Sequence, residues 1–125
     1  MKLIVPIFQV NAGNRVKVRF NLWIEENGDV ALSMWRVKLL TIIGETGSIN
    51  AAADQLNIPY RTAWLKIHEM EQRLGTRLLE THTGGKHGGG AQLTPEARDL
   101  IVKFEKLQAD LEPFVEASFE KIFNK

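Results

Sequence analysis

The residues best suited to chemistry lie in a glycine-rich segment that contains Lys86 and His87. Five of the chain's ten glycines fall between positions 84 and 90. Glycine tolerates positive φ and lets a backbone approach a ligand closely, so this composition predicts an exposed turn. A cationic side chain at such a turn attracts phosphate groups. We therefore expect the segment to contact a phosphate-bearing partner.

Nucleotide, metal and cofactor sites do not fit the same segment. A P-loop requires Ser or Thr directly after its lysine, where this chain has His87, and a dinucleotide fingerprint would need a small residue at Leu93. His82 and His87 have no cysteine and no well-placed carboxylate to complete a metal site. We expect no metal and no cofactor.

The rest of the chain gives no indication of catalysis or of a membrane span. It contains no HExxH motif, no Ser, His and Asp in a catalytic order and no carboxylate pair on an apolar face, so we expect no enzyme activity. The absence of cysteine excludes disulfides. The N-terminal apolar run is interrupted by Pro6 and is too short for a signal peptide. We expect a cytoplasmic protein without membrane association.

Residues 15–33 are predicted to form an N-terminal β-hairpin. Apolar side chains alternate from Arg15 to Ile24, which favours a strand with one buried face. The Asn27 and Gly28 pair is suited to a type I′ turn, and a short second strand follows it.

Three helices are predicted over residues 35–75. The first runs from Trp35 to Glu45, and Ser48 is a good N-cap for a short, alanine-rich second helix. Pro59 fits the first position of a third helix, and Gly75 ends it. A tight turn between an alanine-rich helix and a helix that ends in glycine is typical of a helix-turn-helix.

The glycine segment follows this helix-turn-helix directly, which predicts a wing over residues 77–94. Thr94 and Pro95 then open a last helix over residues 95–123, which Pro113 ends or kinks. The predicted fold class is therefore α+β and mostly α. Residues 1–125 are expected to form a single winged helix-turn-helix domain with an N-terminal β-hairpin and a long C-terminal dimerisation helix.

A winged helix-turn-helix predicts contacts with double-stranded DNA. The N-terminal half of the third helix would meet base edges, where Arg61 can pair with guanine. Trp64 and Tyr60 either contact DNA or belong to the core, and Ser48 either caps its helix, contacts phosphate or does both. The candidate contacts are Ser48, Asn50, Tyr60, Arg61, Thr62, Trp64, Thr83, Gly84, Gly85, Lys86 and His87.

The last helix carries an apolar stripe longer than one small domain readily buries. This length predicts a homodimer and, from the symmetry of the dimer, a palindromic operator. The predicted dimer interface comprises Leu100, Phe104, Leu107, Leu111, Phe114 and Phe119.

The chain's net charge of +1, taken alone, argues weakly against a nucleic-acid partner, but the charge is unevenly distributed. Seven basic and five acidic side chains lie in residues 35–94, whereas five basic and seven acidic ones lie in residues 95–125. An acidic C-terminal segment therefore masks a mildly basic middle.

Residues 46–52, 58–64, 83–86, 88–91 and 93–94, together with Glu69 and Met70, resemble the N-terminal domain of the ModE family of molybdate-responsive regulators. The chain departs from that family at His87, which interrupts a segment expected to be more uniformly glycine. The broader helix-turn-helix pattern also resembles LysR-type regulators. The resemblance covers about residues 16–112. It implies a dimeric, operator-binding winged helix whose recognition helix, which includes Lys66, enters the major groove. The family's molybdate site lies in C-terminal domains, so we do not expect molybdate binding here.

Two other functions are compatible with the sequence. The nearly neutral net charge is compatible with a winged helix that binds another protein. A dimer that senses a small oxyanion is the second alternative. Salt-dependent binding of DNA would separate the main hypothesis from the first of these.

Overall fold

The structure, a computed structural model, describes residues 16–82 and 90–123. It is mostly helical with two antiparallel two-stranded sheets, which is the α+β class predicted from the sequence. Residues 21–82 and 90–105 belong to one compact unit, and residues 16–20 with 106–123 belong to another. The elements are β1 (Trp23–Glu26), β2 (Asp29–Ser33), α1 (Met34–Thr46), α2 (Ile49–Leu56), α3 (Tyr60–Leu74), β3 (Leu79–His82), β4 (Gly90–Leu93) and α4 (Pro95–Phe123).

The N-terminal hairpin has the predicted turn but a shorter first strand. Asn27 and Gly28 have φ of 52° and 87°, as a type I′ turn requires. The paired register ends at Trp23 opposite Ser33, because the chain enters α1 directly after Ser33. Residues 16–22 consequently form no strand, although their apolar side chains alternate as predicted.

The core of the larger unit is built mainly from the helices α1, α2 and α3, with further side chains from the strands and α4. Leu40 and Ile43 of α1 have no exposed surface, and Ile67 and Met70 of α3 are at most 2% exposed. Ala52 is completely buried, and because it carries only a methyl group it allows close packing of α2. The spacing of Ala63, Ile67 and Met70 predicts one inner stripe for the third helix, and all three are buried.

Capping residues set the ends of the helices. Ser48 Oγ accepts a hydrogen bond from the Ala51 N–H at 3.0 Å, which confirms it as the N-cap of α2. Gly75 ends α3 with φ of 66°. Pro59 is the N-cap of α3 and not its first residue, because its ψ of 147° is extended. The sequence analysis missed Ser33, whose hydroxyl accepts from the Arg36 N–H at 3.1 Å and caps α1.

The two strands of the predicted wing are paired. Their register runs from Leu79 opposite Leu93 to His82 opposite Gly90. Thr94 follows β4, and its hydroxyl caps α4 by accepting from the Ala97 N–H at 3.1 Å. The strands therefore connect α3 to α4 through a short hairpin, whose predicted tip lies outside the described residues.

The last helix extends over the full predicted range. α4 does not end at Pro113, which lies inside it. In the larger unit, Ala97, Ile101 and Phe104 of α4 are buried. No helix among the described residues is long and apolar enough to cross a membrane.

Candidate nucleic-acid interface

The N-terminal half of α3 presents large exposed side chains outside its core stripe, with Arg61 and Leu65 pointing away from the core and Trp64 on the flank. Tyr60 is 50% exposed, Trp64 40% and Leu65 44%. Arg61 is also exposed, whereas Ala63 is completely buried. One cation and two aromatic rings are thus available on one helical surface, and these are groups that contact base edges, sugars and phosphates.

Trp64 lies outside the hydrophobic core, and this placement settles the orientation left open by the sequence. Its ring stacks on that of His68, with centroids 3.6 Å apart and planes inclined by 25°. His68 Nδ1 also lies 3.1 Å from the Trp64 carbonyl oxygen. This stack restricts the indole rotamers and presents Trp64 and His68 as one exposed aromatic surface.

The start of α2 provides a second polar region. Asn50 is exposed in the first turn of this helix, and Ser48 is half-buried. The Ser48 hydroxyl is already used as a cap, so capping is established for it. A helix N-terminus retains unpaired N–H groups, which favour an anion such as phosphate. Thr62 is half-buried in the first turn of α3.

Lys66 participates in an ion-pair cluster centred on Glu69. Glu69 Oε1 lies 3.0 Å from Arg36 Nη2, 3.6 Å from Lys66 Nζ and 3.8 Å from Arg73 Nη1. Burial by itself raises the pKa of Glu69, but the Arg36 hydrogen bond and the charges of Lys66, Arg36 and Arg73 outweigh it and lower the pKa below its ordinary value of 4.5. Lys66 is therefore partly engaged within the protein.

Two arginines connect α3 to other elements. Arg36 of α1 is only 7% exposed and donates to the Lys66 carbonyl at 3.2 Å and to Glu69 at 3.0 Å. Arg73 donates to the Val30 carbonyl of β2 at 2.7 Å. The sequence analysis missed both residues, because a charged residue beside an apolar stripe is usually solvent-exposed and its partners are distant in sequence. The two contacts fix the orientation of α3.

The base of the wing is attached to the helices on both strands. Glu71 Oε2 accepts from the N–H groups of Leu78 and Leu79 at 2.8 and 3.3 Å. On the other strand, the Ala91 N–H donates to the Gly47 carbonyl at 2.9 Å. The predicted wing contacts Thr83, Gly84, Gly85, Lys86 and His87 lie outside the described residues.

The residues predicted for a dimer interface differ in exposure. Leu107 is 42% and Phe114 70% exposed, whereas Leu100, Leu111 and Phe119 are half-buried. Phe104 is only 2% exposed and packs in the core of the larger unit, so it has little surface to offer a second chain. Phe119 packs against Phe123, with ring centroids 4.8 Å apart.

The acidic and histidine side chains of the described residues do not form a metal-binding group. Within residues 16–82 and 90–123, no three His, Asp or Glu side chains are grouped so that they could hold a metal ion. His82 is exposed at the end of β3. The polar groups described above are therefore the candidate interface.

A known protein family matches the part of the chain that contains the helix-turn-helix. Residues 35–98 match the model of the bacterial regulatory helix-turn-helix proteins of the lysR family. The chain is 40% identical over 89 residues to the molybdenum-pterin-binding protein MopB of Rhodobacter capsulatus, covering 71% of this chain and 33% of that protein. It is 43% identical over 72 residues to the DNA-binding transcriptional dual regulator ModE of Escherichia coli K12, covering 58% of this chain and 28% of that protein. The chain thus spans about a third of these relatives.

Solved structures share the fold. A BenM DNA-binding domain in complex with benA site 1 DNA has a TM-score of 0.52 and 25% identity, covering 70% of this chain and 95% of that one. A CbnR DNA-binding domain in complex with DNA has a TM-score of 0.55 and 20% identity, with the same coverage. Both are DNA-binding domains bound to DNA. The second likeness concerns the fold alone.

Proposed function

Because the chain belongs to the lysR family of bacterial regulatory helix-turn-helix proteins and carries a ModE-like helix-turn-helix domain, we propose that it binds double-stranded DNA and regulates transcription. The observation that carries this proposal is the exposed face of α3. Tyr60, Arg61 and Trp64 are exposed in the N-terminal half of that helix, while Ala63, Ile67 and Met70 form its buried stripe. A helix of this kind fits the major groove with its N-terminal residues at the bases.

Each exposed group of α3 is assigned a separate role. Arg61 makes a bidentate contact with guanine, which is the commonest specific contact of arginine in the major groove. Trp64, stacked on His68, packs against sugar or a thymine methyl group, since its indole is held at the surface. Tyr60 and Thr62 at the start of the helix bond phosphate or a base edge.

Phosphate contacts supply affinity and position the helix. Asn50 and the N–H groups at the start of α2 bind one phosphate, supported by the exposed position of Asn50. The wing, with Lys86, contacts the backbone farther along the duplex. Lys66 has a smaller part in this scheme because Glu69 lies 3.6 Å from its ammonium group.

The functional form is a homodimer assembled through α4. Phe114 and Leu107 lie seven residues apart and are largely exposed, and this spacing places them on the same side of the helix. Burial of two such side chains against a second copy would remove a costly apolar surface from water. A two-fold symmetric dimer implies a palindromic operator, with half-sites about one helical turn apart or a multiple of that. A regulator of bacterial genes acts in the cytoplasm and needs no enzymatic activity.

Titration of the protein into fluorescently labelled DNA tests the proposal. Fragments selected from genomic DNA are compared with random duplexes at low and moderate salt. Selected fragments should bind at least about a thousandfold more tightly than random ones, and affinity should fall with salt. Equal affinity for both would contradict sequence-specific regulation. Absence of any salt-dependent binding would favour a protein-interaction module, the alternative that the net charge of +1 allows.

A further inference from the structure

Glu71 joins the recognition helix to the wing through both of its acceptor groups. Its carboxylate accepts from the N–H groups of Leu78 and Leu79, at 2.8 and 3.3 Å. Its backbone carbonyl accepts from the Gly75 and Thr76 N–H groups, the latter at 3.2 Å. One residue in the last turns of α3 therefore accepts hydrogen bonds from four backbone N–H groups between the end of that helix and the start of β3.

These hydrogen bonds are made to backbone groups with little access to water. Leu78 is completely buried and Leu79 is 4% exposed. A buried N–H without an acceptor is costly, and a carboxylate acceptor forms a stronger bond than a neutral one. The two N–H groups therefore hold β3 at the position set by the Glu71 carboxylate.

The opposite strand of the wing is fixed by different contacts. The Ala91 N–H donates to the Gly47 carbonyl at 2.9 Å, and the Thr94 N–H donates to the Leu78 carbonyl at 3.0 Å. The Thr94 hydroxyl donates to the Arg77 carbonyl at 2.7 Å. Among the described residues, Glu71 is thus the α3 side chain that forms hydrogen bonds with the wing.

We propose that Glu71 is a positioning residue that sets the location of the wing relative to α3, so that the helix and the wing engage the same DNA duplex in one geometry. This inference rests on the proposed DNA binding and adds to it. Glu71 does not touch DNA in this scheme. By holding the wing in position before DNA binds, Glu71 reduces the conformational entropy that the wing loses on binding. The free-energy cost of binding is therefore lower.

Backbone amide hydrogen exchange measured by NMR tests the structural part of the proposal without DNA. In Glu71→Ala, the amides of Leu78 and Leu79 should exchange about 10- to 100-fold faster than in the parent, the factor of a charge-assisted hydrogen bond. The amides of Leu40 and Ile43 in α1 should keep their protection. Equal loss of protection in α1 and β3 would mean that Glu71 only adds global stability, and this result would overturn the proposal.

DNA titration tests the functional part. Glu71→Ala should bind the selected fragment about tenfold more weakly, and its log affinity should depend less steeply on log salt by about one unit because the wing contact is weakened. Glu105→Ala is the matched control, since Glu105 is exposed on α4 and has no hydrogen bond or ion pair within the described residues. Binding by Glu71→Ala that equals the parent in affinity and salt dependence would overturn the proposal.

A conservative variant covers the case in which Glu71→Ala fails to fold. Glu71→Gln retains an acceptor oxygen without the charge, so exchange at Leu78 and Leu79 should rise by a smaller factor, about tenfold. Unchanged exchange in Glu71→Gln would then overturn the proposal. If the parent protein does not bind DNA, the proposed function fails, whereas the exchange experiment still decides whether Glu71 positions the wing.

Discussion

Replacement of Arg36 tests whether the buried guanidinium fixes α3 against α1. The variant Arg36→Met keeps most of the aliphatic stem and removes the two hydrogen bonds, which span 3.0 Å to Glu69 and 3.2 Å to the Lys66 carbonyl. The bond to the carboxylate contributes about 1.5 to 3 kcal/mol by itself when both groups are well buried. The two partners differ in burial, because the side chain of Arg36 is 9% exposed and that of Glu69 is 36% exposed.

The expected loss follows from this partial exposure. An exposed ion pair contributes about 0.2 to 1 kcal/mol, and breaking a buried one costs about 3 to 5 kcal/mol. We expect Arg36→Met to lower the free energy of unfolding by about 2 to 3 kcal/mol, since the second bond is lost as well. Glu69 retains Lys66 and Arg73 as neighbours in this variant, which limits the cost.

Urea unfolding monitored by circular dichroism measures this change, and a double-mutant cycle isolates the pair. Arg36→Met, Glu69→Gln and the double variant should give a coupling energy of about 1 to 2 kcal/mol. Lys38→Met is the control, because Lys38 is exposed on the same helix. A coupling energy near zero, or equal losses for Arg36→Met and Lys38→Met, would refute the assignment of Arg36 as a buried link between the helices.

Three further outcomes are expected. Arg61→Ala should cost about 1 to 3 kcal/mol on selected DNA and almost nothing on random DNA, measured by fluorescence anisotropy; equal losses on both would contradict a base contact. Phe114→Glu should shift sedimentation from dimer to monomer at micromolar concentration, and an unchanged dimer would exclude this face. Because the pKa of Glu69 is lowered in the folded state, its stabilising contribution is full above 4.5 and is lost as the pH falls through the lowered value. Glu69→Gln should therefore lose less stability than the parent between about pH 6 and pH 3, and equal losses would disprove the linkage.

The order and type of the main elements were predictable from the sequence because local patterns specify them. The spacing of Ala63, Ile67 and Met70 identifies the buried face of a helix at any position in a fold. Ser48 and Gly75 mark helix ends through hydrogen bonds and dihedral angles that involve only neighbouring residues. Such signals lie within a few residues of each other.

The start of β1 and the continuity of α4 through Pro113 depended on more than local pattern. The alternation before Trp23 favours a strand, but β2 ends at Ser33 and leaves those residues without a partner. Pro113 disfavours a helix interior, yet α4 continues through it. Ala109, four residues earlier, is exposed, so the carbonyl left without a helical donor lies on an accessible part of the helix.

By itself, the sequence determined that this chain forms a winged helix-turn-helix, because helix periodicity, caps and turn residues act locally. Only the tertiary structure decided that Trp64 lies at the surface and stacks on His68, and that Arg36 is buried. Only the tertiary structure revealed that Glu69 accepts from Arg36, 33 residues away, and that Arg73 donates to the Val30 carbonyl, 43 residues away. A side chain's burial and charge partners depend on which distant segments pack beside it, and no local pattern encodes that arrangement.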